Sequence, residues 1–189
     1  MRALSRFIKG CALAAMAGCS AVGLDTHDDL VLSPCVEAGA LRTDGYYMMR
    51  PVNGLTRLYV IYNNGIIRYL FSTRDIESIE DKITRGSYIE SNARYAWGLF
   101  YTSQDEFIFE RWHPGDGVHT PALVHEGFVL NDSTFVVNKV YSRYEGRVRQ
   151  ITEVYEFRQL VGAKPDSANR FVSGLEGTNE ACDGRRAIQ

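Results

Sequence analysis

Apolar and polar positions alternate in short runs along most of this chain, and turn residues separate the runs. Arg57–Tyr62 and Ile66–Phe71 are β-branched and aromatic, with no glycine or proline inside, which is strand composition. Asn63-Asn64-Gly65 lies between them and contains the Asn-Gly pair that accepts positive φ in a tight hairpin. Both faces of this hairpin are apolar. One face must meet a core and the other must be covered. Further strands are predicted over 46–49, 95–102, 106–112, 122–130, 134–142 and 152–160. Turn residues lie at Pro51–Gly54, Ser103–Asp105 and Asn131–Ser133. Residues 144–149 read as polar connection. One segment changes period: Ile76, Ile79 and Ile83 fall on one helical face. Ser72 and Asp75 are spaced as a capping box, acids come early, Lys82 and Arg85 come late, and Gly86 stops the pattern. A helix is predicted over 73–85, placed to cover the hairpin.

Eight strands, short connections and one helix predict a mainly β fold. Sequential hairpins close most readily into an antiparallel up-and-down barrel or flatten into a sandwich. The barrel domain is expected over 43–160, with a tether before it and a tail rich in Gly, Ser and Asp over 161–189.

The first residues carry an address. Arg2, Arg6 and Lys9 precede an uncharged stretch at 10–18, which is too short to span a bilayer and reads as a secretory signal peptide. Met16-Ala17-Gly18-Cys19 resembles the lipobox of bacterial lipoproteins. That resemblance implies removal of residues 1–18, diacylglycerol on the sulfur of Cys19 and acylation (palmitate) of the new amine. Residues 19–42 would then be a lipidated tether, and the protein would meet the membrane through this anchor. Ser20, where an acidic residue would favour the inner membrane, points to the outer membrane. The other reading is an ordinary signal peptide with a coincidental cysteine.

Cys11 would leave with the signal, and Cys35 and Cys182 remain. An even pair in an oxidising compartment reads as one disulfide, stapling the two tails together. The loop is long enough for the chain-entropy model to give on the order of 5 kcal/mol. Two free thiols are the alternative. No Cys-x-x-Cys spacing suggests a metal site.

Composition narrows the function classes. Apolar residues make up 45% and charged residues 23%, so the chain is globular. Net charge is -2, and loss of two arginines and a lysine with the signal makes it about -5. No basic surplus supports nucleic-acid binding.

Leu41–Tyr47, Tyr62–Ile66, Trp97–Tyr101, Asn131–Phe135 and Val154–Phe157 together resemble segments of small bacterial outer-membrane lipoproteins with a lipocalin-like barrel. The resemblance implies location and fold, and brings no catalytic residue.

The chemistry-bearing residues are few. His113, His119 and His125 are six apart, a spacing that matches no common ligand signature, so a metal site there is a weak alternative to solvated loop histidines. There is no Gly-x-Ser-x-Gly elbow and no His-Glu-x-x-His, and the chain is expected not to be an enzyme and to hold no cofactor. Tyr46, Tyr59, Tyr69, Trp97, Tyr101, Phe109, Tyr155 and Phe157 lie on candidate strands. An eight-stranded barrel is filled by side chains or holds one small ligand, so these aromatics are either core or ligand lining. The functional expectation is a lipid-anchored envelope protein binding a small apolar or amphipathic ligand. The alternative is a structural lipoprotein that docks an envelope partner.

Overall fold

The computed structural model describes residues 29–88, 93–114, 121–143, 147–160, 165 and 167–172. Eight strands follow one another around a closed barrel, each antiparallel to its neighbours. They are β1 (Gly45–Met49), β2 (Thr56–Ile61), β3 (Ile66–Thr73), β4 (Trp97–Ser103), β5 (Glu106–Trp112), β6 (Ala122–Asn131), β7 (Thr134–Tyr141) and β8 (Val148–Gln159). This is the up-and-down barrel that the hairpin pattern predicted. Pairing of β1 with β8, from Gly45–Gln159 to Met49–Tyr155, closes it and removes the free edge.

The two ends of the barrel differ. Tight turns join β2 to β3, β4 to β5 and β6 to β7 at one end, here called the hairpin end. At the other, the loop end, longer connections join β1 to β2, β3 to β4, β5 to β6 and β7 to β8. Gly65 takes φ +81° in the first hairpin, and a Cβ there would meet the ring of Pro34. Only glycine meets both demands. A Cβ on Gly127 would stand 1.7 Å from the Val136 carbonyl oxygen, so the strand irregularity beside it also needs glycine.

The core has two layers, which explains why both faces of the β2–β3 hairpin are apolar. The lumen holds Tyr47, Tyr59, Ile61, Ile67, Phe100, Phe107, Phe109, Phe135 and Tyr155. Rings from strands that are not neighbours touch across it. Phe107 of β5 lies 4.2 Å from Phe135 of β7, and Tyr59 of β2 lies 5.5 Å from Phe109 and 5.6 Å from Tyr155. A second cluster covers the outside of β2–β5, where Leu58, Val60, Ile66, Leu70, Trp97 and Leu99 are buried under Leu32, Ile79, Ile83 and Val172. The cover is therefore a composite of an N-terminal strap, a helix and the C-terminal segment.

Two boundaries differ from the sequence reading by four residues or more. The helix α1 spans only Ile79–Thr84. Residues 73–78 form side-chain-held turns: Asp75 N–H donates to Thr73 Oγ1, and Ser78 N–H donates to Asp75 Oδ1. These local bonds compete with helix formation. Ile76, assigned to the buried stripe, is 42% exposed, and only Ile79 and Ile83 are buried. Strand β8 begins at Val148, four residues before the predicted start. Its first, exposed residues are held by pairing to β7 through Val148–Tyr141, Arg149–Val140 and Gln150–Lys139.

The segment before the first strand is well tied. Val31 and Leu32 donate backbone N–H groups to Glu110 Oε2, both at 2.7 Å. Thr102 N–H donates to the Cys35 carbonyl, Glu37 N–H to Thr102 Oγ1, and Arg42 N–H to the Asp132 carbonyl. The strap thus runs along the outside of the barrel from the loop end to the hairpin end.

Candidate functional site

The lumen is divided along its length. Toward the hairpin end it is filled by Tyr47, Phe107, Phe135 and Phe157. Tyr47 Oη donates to the Arg42 and Asp132 carbonyls, which seals that end with a satisfied hydroxyl. Toward the loop end the same inward positions become polar. On β5, Phe107, Phe109 and Arg111 alternate inward, so the strand's last lumenal side chain is a guanidinium. Arg111 is 5% exposed. Its Cζ lies 4.7 Å from the Tyr69 ring centre and 5.7 Å from that of Tyr59.

Arg111 is only partly satisfied. Nη1 donates to the Tyr95 carbonyl at 3.2 Å and the Trp112 carbonyl at 3.0 Å. Nε is buried and has no hydrogen-bond partner among the described residues. Among the described residues the lumenal carboxylate at this end is Glu153, and it is already engaged. It is ion-paired with Arg57 and accepts from Tyr155 Oη at 2.8 Å. His125 stacks face to face on Phe109 at 4.1 Å. Burial, then the charge of Arg111, holds the His125 imidazole well below its usual pKa, so it is neutral at pH 7. Two arginines face one carboxylate, leaving the loop end of the lumen with surplus positive charge among the described residues. Burial raises the pKa of Tyr59, against the opposing pull of Arg111 and Arg57, and raises that of Tyr155 well above normal. These hydroxyls remain protonated donors.

The eight nominated aromatics divide by strand parity. Tyr59, Tyr69, Phe109, Tyr155 and Phe157 line or border the lumen. Tyr46, Trp97 and Tyr101 belong to the outer layer. The residues that sequence reasoning missed are Arg57, Arg111 and Glu153. The available signal was parity, since each is a charged residue at an inward position of an otherwise apolar alternation.

A cavity of about 550 Å³ lies outside the barrel at the loop end, lined by Asp29, Leu30, Arg94, Trp112, Arg170 and Phe171. Its size is within the range of small-molecule sites. The Arg94 guanidinium sits 4.3 Å over Trp112, and Arg170 sits 5.0 Å over Phe171.

The histidines separate. His125 points into the lumen, and its neighbour Glu126 points outward to Lys139 at 2.7 Å. His113 is exposed and contacts the Pro114 carbonyl. His119 lies outside the described residues. Among the described residues no three His, Cys, Asp or Glu side chains gather as a metal site would require. Cys19 and Cys182 also lie outside the described residues. Cys35 is half-buried and engaged, forming a bridge to Tyr101 through its backbone. No helix among the described residues is long and apolar enough to cross a membrane.

The architecture defines the class: a closed, eight-stranded antiparallel barrel with little helix, consistent with a lipocalin-like barrel. Comparison with protein-family models, with curated proteins and with solved structures finds no match to this chain. The chemistry of the site rests on its own residues.

Proposed function

We propose that this protein is a non-catalytic, lipid-anchored cell-envelope protein that binds a small amphipathic ligand at the loop end of its barrel. The observation that carries the reading is the division of the lumen. An aromatic floor lies below a polar rim made by Arg57, Arg111, Glu153 and the hydroxyls of Tyr59, Tyr69 and Tyr155. An apolar wall with a few converging polar groups is what small-molecule sites use to fix orientation. The location follows from the signal and lipobox: acylation at Cys19, tethering to the outer membrane, and a disulfide between Cys35 and Cys182 in that oxidising setting. A Cys19→Ala variant tests the anchor. It is expected in the soluble fraction or retained with an uncleaved signal lacking diacylglycerol. Normal acylation of that variant would reject the assignment.

A second reading is favoured by the outer cavity. Trp112 and Phe171, flanked by Arg94 and Arg170, form an aromatic, positively edged recess beside the strap. An envelope protein presenting an acidic or aromatic side chain would fit it, and the barrel would then serve as a rigid scaffold.

A further inference from the structure

We infer that the loop end of the lumen is an anion site, where Arg111 and the hydroxyls of Tyr59 and Tyr69 receive the carboxylate or phosphate head of the ligand. This rests on the reading of the barrel as a ligand carrier and adds the chemical class of its head group.

Three independent observations point the same way. Arg111 is inside the barrel and nineteen-twentieths buried, yet it has no carboxylate partner among the described residues. A buried guanidinium loses its hydration, and two backbone carbonyls return only part of that loss. Its Nε carries a proton with no acceptor. The second observation is that the neighbouring carboxylate cannot serve. Glu153 already holds Arg57 and the Tyr155 hydroxyl, so moving it to Arg111 would break both contacts. The third is the pair of unspent hydroxyls. Tyr59 and Tyr69 pack with ring centres 5.4 Å apart and planes tilted by 46° beside the guanidinium, and neither hydroxyl makes a hydrogen bond among the described residues. One buried cation with an unpaired Nε and two hydroxyls free to donate, gathered at the loop end of the lumen, are a complement for an anion.

The remaining charges near Arg111 agree in sign. Arg57 borders the same lumen, and exposed Arg149 stands on the inward parity of β8 at the rim. Burial first, and after it the positive potential of Arg111 and Arg57, lowers the proton affinity of His125 and of His113, to which Arg149 also contributes. The lumenal rings fill the barrel below Arg111, so the head group and a short apolar part of the ligand lie beside them and a longer tail extends out of the loop end.

The test is titration calorimetry on the purified full-length protein, with identical detergent in cell and syringe. The probes are octanoate, octyl phosphate, octanol and octylammonium. The inference predicts binding of octanoate or octyl phosphate at least tenfold tighter than octanol, with octylammonium weakest. Whichever anion binds tighter separates a carboxylate head from a phosphate head. Arg111→Gln is expected to abolish the preference and Arg111→Lys to keep part of it. A Phe171→Ala change, in the outer cavity, is expected to leave it intact. Equal binding of octanoate and octanol by the wild type would overturn the anion site while leaving the ligand-binding barrel standing. Binding of none of the four would sink both. Loss of the preference in Phe171→Ala alone would move the site outside the barrel and so overturn it. The wild-type comparison needs no variant to fold.

Discussion

Glu110→Ala offers the sharpest view of how this fold is held together. Glu110 sits on the outer face of β5 and is 1% exposed. Its Oε2 accepts the backbone N–H groups of Val31 and Leu32 at 2.7 Å each, and its Oε1 faces Arg143 Nε at 3.1 Å. One buried carboxylate therefore joins the N-terminal strap to the barrel and holds an arginine of the β7–β8 connection. Hydrogen bonds to a charged group contribute about 1.5–3 kcal/mol each, and they are not additive here because they share one carboxylate. Removing one partner of a buried ion pair costs about 3–5 kcal/mol, mostly from the charge left behind. Arg143 reaches the surface only slightly, with its side chain 13% exposed, so most of that cost remains. We expect a loss of about 3–5 kcal/mol, which lowers Tm by about 10 °C for a chain of this length. Thermal unfolding by circular dichroism reads the loss. Amide hydrogen exchange at Val31 and Leu32 reads its location, and both amides are expected to become unprotected well below global unfolding. A Tm within about 2 °C of wild type with unchanged exchange at these amides would refute the reasoning.

Two further outcomes follow from the lumen. Phe135→Ala removes a ring that touches Tyr47, Phe107 and Tyr155, and is expected to destabilise by about 3–5 kcal/mol in urea unfolding, because those rings cannot all collapse into the space. His125 has a folded-state pKa well below its unfolded value of about 6.5, so the unfolded chain binds the extra proton first. Its contribution is full above that unfolded value and falls as the pH drops below it, by up to about 1.4 kcal/mol per pH unit. His125→Phe, which keeps the stack on Phe109, is expected to flatten that part of the stability profile between pH 7 and pH 5; an unchanged slope would remove His125 as its source.

The legible parts of this fold were those with local signals. The β2–β3 hairpin announced itself through Asn64-Gly65 and its β-branched flanks, and the two apolar faces correctly implied a cover. Boundaries set by tertiary contact were harder. The first residues of β8, Val148–Gln150, are polar or exposed on both faces, and only pairing with β7 makes them strand. The helix was overextended because Ile76 fits the 3.6-residue period, while Asp75 and Thr73 spend their side chains on competing turns. Among candidate residues, aromatic identity gave no inward or outward sense, so the lining set divided between lumen and outer layer. Arg111 and Glu110 escaped notice because adjacent charges at a strand end read as solvated. Their burial comes from what packs over the strand: lumenal rings on one side and the strap on the other. The six-residue spacing of the histidines meant little, since His125 faces the lumen and His113 faces solvent.

The central claim, a lipid-anchored barrel that carries a small anionic amphiphile, is tested most directly by mass spectrometry of the full-length protein purified from a bacterial envelope. The spectra are taken first under native and then under denaturing conditions. The account predicts a chain beginning at Cys19, with a covalent acyl increment that survives denaturation and a second, small increment that vanishes with it and is recovered as an acid. A chain without the acyl increment would contradict the anchor. A native mass identical to the denatured one, before and after addition of octanoate or octyl phosphate, would contradict the carrier.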